Sequence, residues 1–137
     1  MSCAEGTRIR RWEGTKSAVL PIEDLFEGAE LVGLRDTDEV PVRVLRPLRF
    51  SMKPCVKITT DAGQELTCTT DHRLLLAGGG NVRANVQASE SLKRHVLTRD
   101  GAVQVVEVQN VGERRVVHLD ELDRPFVYEA ERILSEE

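Results

Sequence analysis

Apolar and polar residues alternate over long stretches of this chain, and this period of two constrains the fold more than any other feature. Val40, Val42 and Val44 recur at every second position, and so do Val103 and Val105. Successive side chains of a β-strand point to opposite faces of its sheet, so the alternation is typical of strands with one buried face. Turn-forming clusters interrupt it at residues 61–63, 77–81, 99–101 and 111–113. We predict an all-β fold of short antiparallel strands.

One segment, residues 21–28, departs from this alternation. Ile22, Leu25 and Phe26 in it would share one face of a helix. Proline is favoured in the first turn of a helix and glycine commonly ends one, as Pro21 and Gly28 would here. The sequence therefore predicts a single short helix.

An internal repeat accompanies the strand pattern, because residues 42–60 align without a gap on residues 103–121. After one residue is removed, the alignment continues and brings residues 73–76 onto residues 132–135. It also places His118 on Lys57, which predicts that His118 faces outward. We expect two pseudo-symmetric β-halves that share one core. The apolar positions that coincide, all expected to be buried, are Val42 and Val103, Val44 and Val105, Leu45 and Val106, Phe50 and Val111, Cys55 and Val116, Val56 and Val117, and Ile58 and Leu119.

Length and charge narrow the class of protein. A chain of 137 residues is most simply one domain, residues 1–137, with enough buried surface for a core. The net charge of −4, spread over interspersed acidic and basic residues, argues against binding to nucleic acid or anionic lipid. The sequence contains neither an apolar run long enough to span a membrane nor a secretory signal. We expect a soluble, cytoplasmic monomer with no cofactor.

The chain has three cysteines, Cys3, Cys55 and Cys68, and their spacing fits neither a disulfide framework nor a CxxC motif. Cys55 and Cys68 lie in strand patterns and are expected to be core thiols. A redox pair of Cys68 with Cys3 is an alternative. So is a zinc site made of Cys68, His72 and either Cys3 or His95, but its spacing is poor, and we expect no metal.

Four motifs follow one another along the chain in a recognisable order. The first two are "CAEGTRI", which begins at Cys3, and "PIEDLFEGAELVGL", which begins at Pro21. The third is a T-x-x-H tetrapeptide from Thr69 to His72, and the last is the stretch "VVHLDELDRPFVYEAERILSEE", residues 116–137. Together they resemble the Hint (Hedgehog/intein) superfamily of inteins and bacterial intein-like domains. The resemblance covers essentially the whole chain and implies an all-β horseshoe with pseudo-two-fold symmetry, which agrees with the repeat.

The resemblance also implies a reaction, and the residue types suit it. The thiol of Cys3 can attack the carbonyl of Ser2 and move the acyl group from nitrogen to sulfur. His72, with an ordinary pKa of ~6.5, can protonate the departing amide nitrogen near neutral pH. Thr69 can hold the scissile peptide or its oxyanion. The fourth catalytic candidate is Asp120, which would tune the reactivity of Cys3; it matches the family's final-block aspartate only if the alignment slips by one residue.

Departures from the family pattern limit which reactions are expected. Glu136 and Glu137 stand where the family has His-Asn, and Phe126 stands where it has a further histidine. Asparagine cyclisation, and with it protein splicing, is therefore not expected. The sequence predicts a self-cleaving domain that forms a thioester and acts in cis on a flanking polypeptide upstream of Cys3.

Each of these residues also has an ordinary interpretation when taken alone. Cys3 can be a small core residue, Thr69 a strand-end cap, and His72 a turn residue bonded to backbone. The alternative for the whole chain is therefore a catalytically inactive β-domain that serves as an interaction or structural module.

Overall fold

The structure is a computed structural model, and it describes residues 2–13, 16–35, 38–84, 95–119, 122 and 127–136. Regular structure in these residues is almost entirely β-strand, and they contain no α-helix. The strands are β1 (Ser2–Ala4), β2 (Arg8–Glu13), β3 (Lys16–Pro21), β4 (Glu30–Arg35), β5 (Asp38–Arg43), β6 (Arg49–Thr60), β7 (Glu65–Thr69), β8 (Arg73–Leu75), β9 (Asn81–Arg83), β10 (His95–Thr98), β11 (Gly101–His118), β12 (Val127–Ala130) and β13 (Ile133–Glu136).

The strands form one 13-stranded sheet in which neighbours run antiparallel, which confirms the predicted all-β fold. Its order is β1-β7-β6-β11-β10-β13-β12-β2-β4-β5, with β3 beside β2 and with β8 between β13 and β9. β1 also pairs with β11. The first and last strands, β1 and β13, thus both have partners on either side.

The long strands β6 and β11 contain most of the repeated segments and pair with each other along most of their length. An antiparallel pair of this kind is what a two-fold axis between two β-halves produces. Burial agrees at several repeat positions, because Val44, Val56 and Ile58 are buried and so are their counterparts. The expectation fails at Phe50, which is 39% exposed, and at the repeat pair Leu45 and Val106, which are 42% and 45% exposed. Both side chains of this pair face outward, so here the repeat aligns two exposed positions rather than two core positions.

Two local predictions are wrong. The predicted helix is a single 3₁₀ turn, Ile22–Asp24, because the chain is already extended at Leu25, and Phe26 is 50% exposed rather than packed beside Ile22. The predicted turn at residues 111–113 lies inside β11. Gly112, with φ of 75°, sits at a shift of register against β6, so the glycine permits a β-bulge.

A buried apolar cluster joins strands from both halves of the chain, with Ile9 and Leu31 from one half and Leu66, Val117 and Ile133 from later strands. Removing a side chain of this size from water contributes about 1.5–3 kcal/mol, so the cluster is the main source of stability. The side chain of Cys3 belongs to the same cluster. In the described part of the chain, no helix has the length and apolar character that crossing a membrane requires.

Candidate active site

Cys3 is held in the sheet from both sides. β1 has only three residues, yet Cys3 pairs with Val117 of β11 and with Cys68 of β7. Its side chain is fully buried. The peptide bond between Ser2 and Cys3 is therefore fixed between two neighbouring strands rather than lying in a loose terminal segment.

Thr69, the last residue of β7, contacts the residue on the upstream side of that bond. Its Oγ1 accepts a hydrogen bond from the Ser2 N–H at 3.0 Å and lies 3.2 Å from the Ser2 carbonyl oxygen. Asp71 Oδ1 lies 2.8 Å from the same hydroxyl. The hydrogen bond from Thr69 lowers the pKa of Asp71 below its usual range. One hydroxyl proton serves two acceptors, so it can turn from Asp71 toward the Ser2 carbonyl when charge develops there.

His72 follows Thr69 through a tight turn, in which the His72 N–H donates to the Thr69 carbonyl oxygen at 3.1 Å. This turn directs both side chains toward β1. The imidazole Nδ1 lies 4.0 Å from Cys3 Sγ. The tight turn places Thr69 and His72 together, and pairing of β7 with β1 brings them to Ser2 and Cys3. Their catalytic roles stay predictions.

The environment of His72 changes its expected protonation. Its ring is fully buried and meets the Tyr128 ring edge-on, with centroids 6.4 Å apart. Burial lowers the pKa of His72 from 6.5 to about 4. A neutral imidazole at pH 7 accepts a proton before it can donate one, whereas the sequence suggested a group that is ready to donate near neutrality.

Ser135 is a site residue that the sequence analysis missed. It lies on β13, is fully buried, and its Oγ is 2.8 Å from His72 Nε2. It pairs with Leu74 of β8 and with Tyr128 of β12, so two neighbouring strands hold Ser135 beside the imidazole of His72. The repeat contained a signal, because it aligns Ser135 with Leu76 and thus puts a hydroxyl where the other half has leucine.

His118 is the second missed residue. The repeat predicted that it faces outward, but its Nδ1 is 2.6 Å from Ser2 Oγ and its Nε2 is 2.6 Å from Ser51 Oγ. His118 pairs in register with Ser2 across β1 and β11. The side chain of His118 is half-buried, and the repeat could not indicate its partners, because Lys57 pairs instead with Thr67 of β7 and with Gln109 of β11.

The remaining sequence predictions concern the other two cysteines, Asp120 and a possible metal site. Cys55 and Cys68 are buried free thiols, as expected, and burial raises the pKa of Cys68 well above its ordinary value. Cys68 lies directly opposite Cys3, so a redox pair stays a prediction. Asp120 lies outside the described residues, as does Phe126. Among the residues that the structure describes, no three His, Cys, Asp or Glu side chains could together hold a metal ion.

Comparisons with known proteins address the fold. No protein-family model matches the chain, and no curated protein sequence does. Solved structures match over nearly its whole length. The gp41-1 intein superimposes with a TM-score of 0.80 at 16% identity, covering 100% of this chain and 99% of that one. A DnaB intein from Synechocystis sp. PCC 6803 gives 0.81 at 19% identity, covering 98% and 96%.

The chain has the Hint fold of inteins. A bacterial intein-like domain from Clostridium thermocellum agrees, with a TM-score of 0.77 at 18% identity and coverage of 99% of this chain and 98% of that one. The predicted Hint/intein-like horseshoe is thereby confirmed. Identities this low establish the Hint fold alone, so the reaction has to be inferred from the residues that surround Cys3.

Proposed function

We propose that this Hint domain cleaves the peptide bond between Ser2 and Cys3 by an N-to-S acyl shift and acts in cis on an upstream polypeptide. The observation that carries the proposal is the convergence of three side chains on that bond. Cys3 Sγ lies beside His72 Nδ1, and Thr69 Oγ1 lies within hydrogen-bond distance of the Ser2 carbonyl oxygen.

The first step is activation of the thiol. Neutral His72 takes the proton of Cys3 Sγ on Nδ1 when its proton is on Nε2, and in that tautomer Nε2–H can donate to Ser135 Oγ. The thiolate then attacks the carbonyl carbon of Ser2 and forms a C–S bond. Because thiol and carbonyl belong to adjacent residues, proximity supplies much of the acceleration.

The second step is collapse of the intermediate. The carbonyl oxygen becomes an oxyanion, toward which Thr69 can turn its hydroxyl proton. The imidazolium of His72 delivers the proton it has just taken to the amide nitrogen of Cys3, and the C–N bond breaks. The products are a thioester between Ser2 and the Cys3 sulfur and a free amino group on Cys3. Hydrolysis, or exchange with another thiol, then releases the upstream polypeptide.

A cleavage assay tests the proposal. A reporter protein is fused upstream of Ser2, dithiothreitol is added, and release is followed on a gel, with intact mass locating the cut. We expect cleavage between Ser2 and Cys3, complete loss of it in Cys3→Ala, and a decrease of roughly 10²–10⁴ in rate in His72→Ala.

Two results would contradict the proposal. Cleavage that persists at the same rate in Cys3→Ala would mean that another nucleophile acts. A folded wild-type fusion that is never cut would favour the alternative, an inactive β-domain that serves as an interaction module. A circular dichroism spectrum of each variant serves as the control for folding.

A further inference from the structure

The side chain of Ser2 is buried and has a hydrogen-bonding partner of its own. Ser2 is 2% exposed, and its Oγ is 2.6 Å from Nδ1 of His118. The two residues are direct partners in the register of β1 and β11. In the proposed reaction Ser2 is the residue whose carbonyl is attacked, so His118 touches the acyl side of the scissile bond, opposite the side served by His72.

The imidazole of His118 is bound at both nitrogens. Its Nε2 is 2.6 Å from Ser51 Oγ on β6, so the ring bridges two hydroxyl groups on two different strands. A hydroxyl can donate or accept, and a neutral imidazole needs one donor and one acceptor. Both tautomers of His118 are therefore satisfied, and so is the protonated ring, which donates to both oxygens. The contact requires a hydroxyl on residue 2 but no particular charge on His118.

Replacing the hydroxyl of residue 2 would remove its hydrogen bond to Nδ1 of His118. With an apolar side chain at position 2, Nδ1 of His118 would face a site in which Ser2 is almost completely shielded from water. Loss of a hydrogen bond in such a place is therefore expected to disfavour the apolar residue. The hydrogen bond also restricts the rotamer of Ser2 and so helps hold its carbonyl beside Thr69.

We propose that His118 is a positioning and specificity residue that selects a small hydroxyl-bearing residue at the last position before the scissile bond. This inference rests on the proposed acyl shift, and it names the substrate class: an upstream polypeptide that ends in serine or, with one added methyl group, threonine. Ser51 fixes the imidazole from the other side.

The test compares residues of similar shape at position 2. Fusions with Ser2, Ser2→Ala, Ser2→Thr and Ser2→Val are cleaved with dithiothreitol in wild-type protein and in His118→Leu. In wild-type protein we expect Ser2 to exceed alanine, and Thr to exceed Val, by about 5- to 30-fold in rate, which is the usual worth of a buried neutral hydrogen bond. In His118→Leu both rate ratios should fall to within about 2-fold, because the imidazole that binds the hydroxyl has been removed.

Two further variants separate specificity from structure. His118→Gln keeps a donor and an acceptor and should restore part of the preference. His95→Leu replaces an exposed histidine on β10 and should leave the preference unchanged. If His118→Leu slows every fusion by the same factor, His118 is structural only and the inference is overturned.

A spectroscopic readout does not depend on cleavage. In the Cys3→Ala protein, Ser2→Ala should shift the Nδ1 resonance of His118 in a ¹⁵N imidazole spectrum, while that of His95 stays in place. A shift with no cleavage in any fusion would refute the proposed reaction but keep the contact. An unmoved His118 resonance would refute the inference even if cleavage occurs.

Discussion

Acidification should destabilise this domain through His72. Its buried ring has a pKa of about 4, against 6.5 for an exposed histidine. Above that ordinary value the ring is neutral in folded and unfolded chains, so proton binding does not affect folding. As pH falls through 6.5, the unfolded chain binds a proton that the folded chain excludes until about pH 4. The free energy of unfolding therefore decreases across this interval.

The size of the effect follows from the two pKa values. One pKa unit corresponds to about 1.4 kcal/mol, so the full loss, reached below both values, is roughly 3 kcal/mol. At about pH 5, where the folded ring is still mostly neutral, linkage gives a loss of about 2 kcal/mol. For a domain with a stability of about 5–15 kcal/mol this is a readily measured fraction.

The assay is urea unfolding at about pH 7.5 and about pH 5, with Cys3→Ala in every sample to prevent cleavage. His72→Gln is the matched variant, because its amide can reach Ser135 but does not titrate in this range. Other histidines and carboxylates contribute equally to both proteins, so the difference in unfolding free energy between them isolates His72.

We expect that difference to change by about 2 kcal/mol, with the histidine protein losing relative stability at the lower pH. If the free energies of unfolding of the two proteins change by the same amount between the two pH values, His72 keeps an ordinary pKa when folded. That result would also remove the basis for a neutral imidazole that takes the proton of Cys3 first.

Two further predictions concern the last strand and the chain end. Ser135→Ala should slow cleavage by about 10-fold and shift the Nε2 resonance of His72 in a ¹⁵N spectrum, because Nε2 loses its partner. Ser135→Thr, which keeps the hydroxyl, should retain most of the rate, and equal rates in all three proteins would contradict the role. A second reporter placed after Glu137 should stay attached while the upstream one is released, because no asparagine is present there to cyclise. Intact mass checks this, and a free downstream reporter would show that the domain can also cleave the junction after Glu137.

Much of the site was predictable because it depends on local sequence or on a motif. Thr69 and His72 are three residues apart in one turn, so their spacing alone brings them together. Strand alternation likewise predicted the all-β fold, since a period of two can be recognised in the sequence without knowing which strands pair.

The rest of the site depends on register, which the sequence does not reveal. Ser135 and His118 reach it only because β13 lies beside β8 and because β1 pairs with β11. A shift of one residue in either pairing would turn their side chains to the other face of the sheet. The low pKa of His72 has a similar origin, since it comes from burial by strands that are distant in sequence. The 3₁₀ turn at Ile22–Asp24 replaced the predicted helix because three apolar residues at helical spacing are too few to establish one against tertiary packing.

The arrangement of strands around His72 also determines when the site can form. The imidazole lies between Cys3, on the first strand, and Ser135, on the last; the first contact depends on pairing of β1 with β7, and the second on pairing of β13 with β8. Contacts between residues so far apart in sequence form late in folding, because closing long loops costs entropy before the contacts compensate for it. Before β13 docks, the ring of His72 lacks the hydrogen bond to Ser135 and its full burial. Formation of a competent site is therefore coupled to docking of the first and last strands, and in the proposed reaction we expect Cys3 to attack the Ser2 carbonyl only after both have paired.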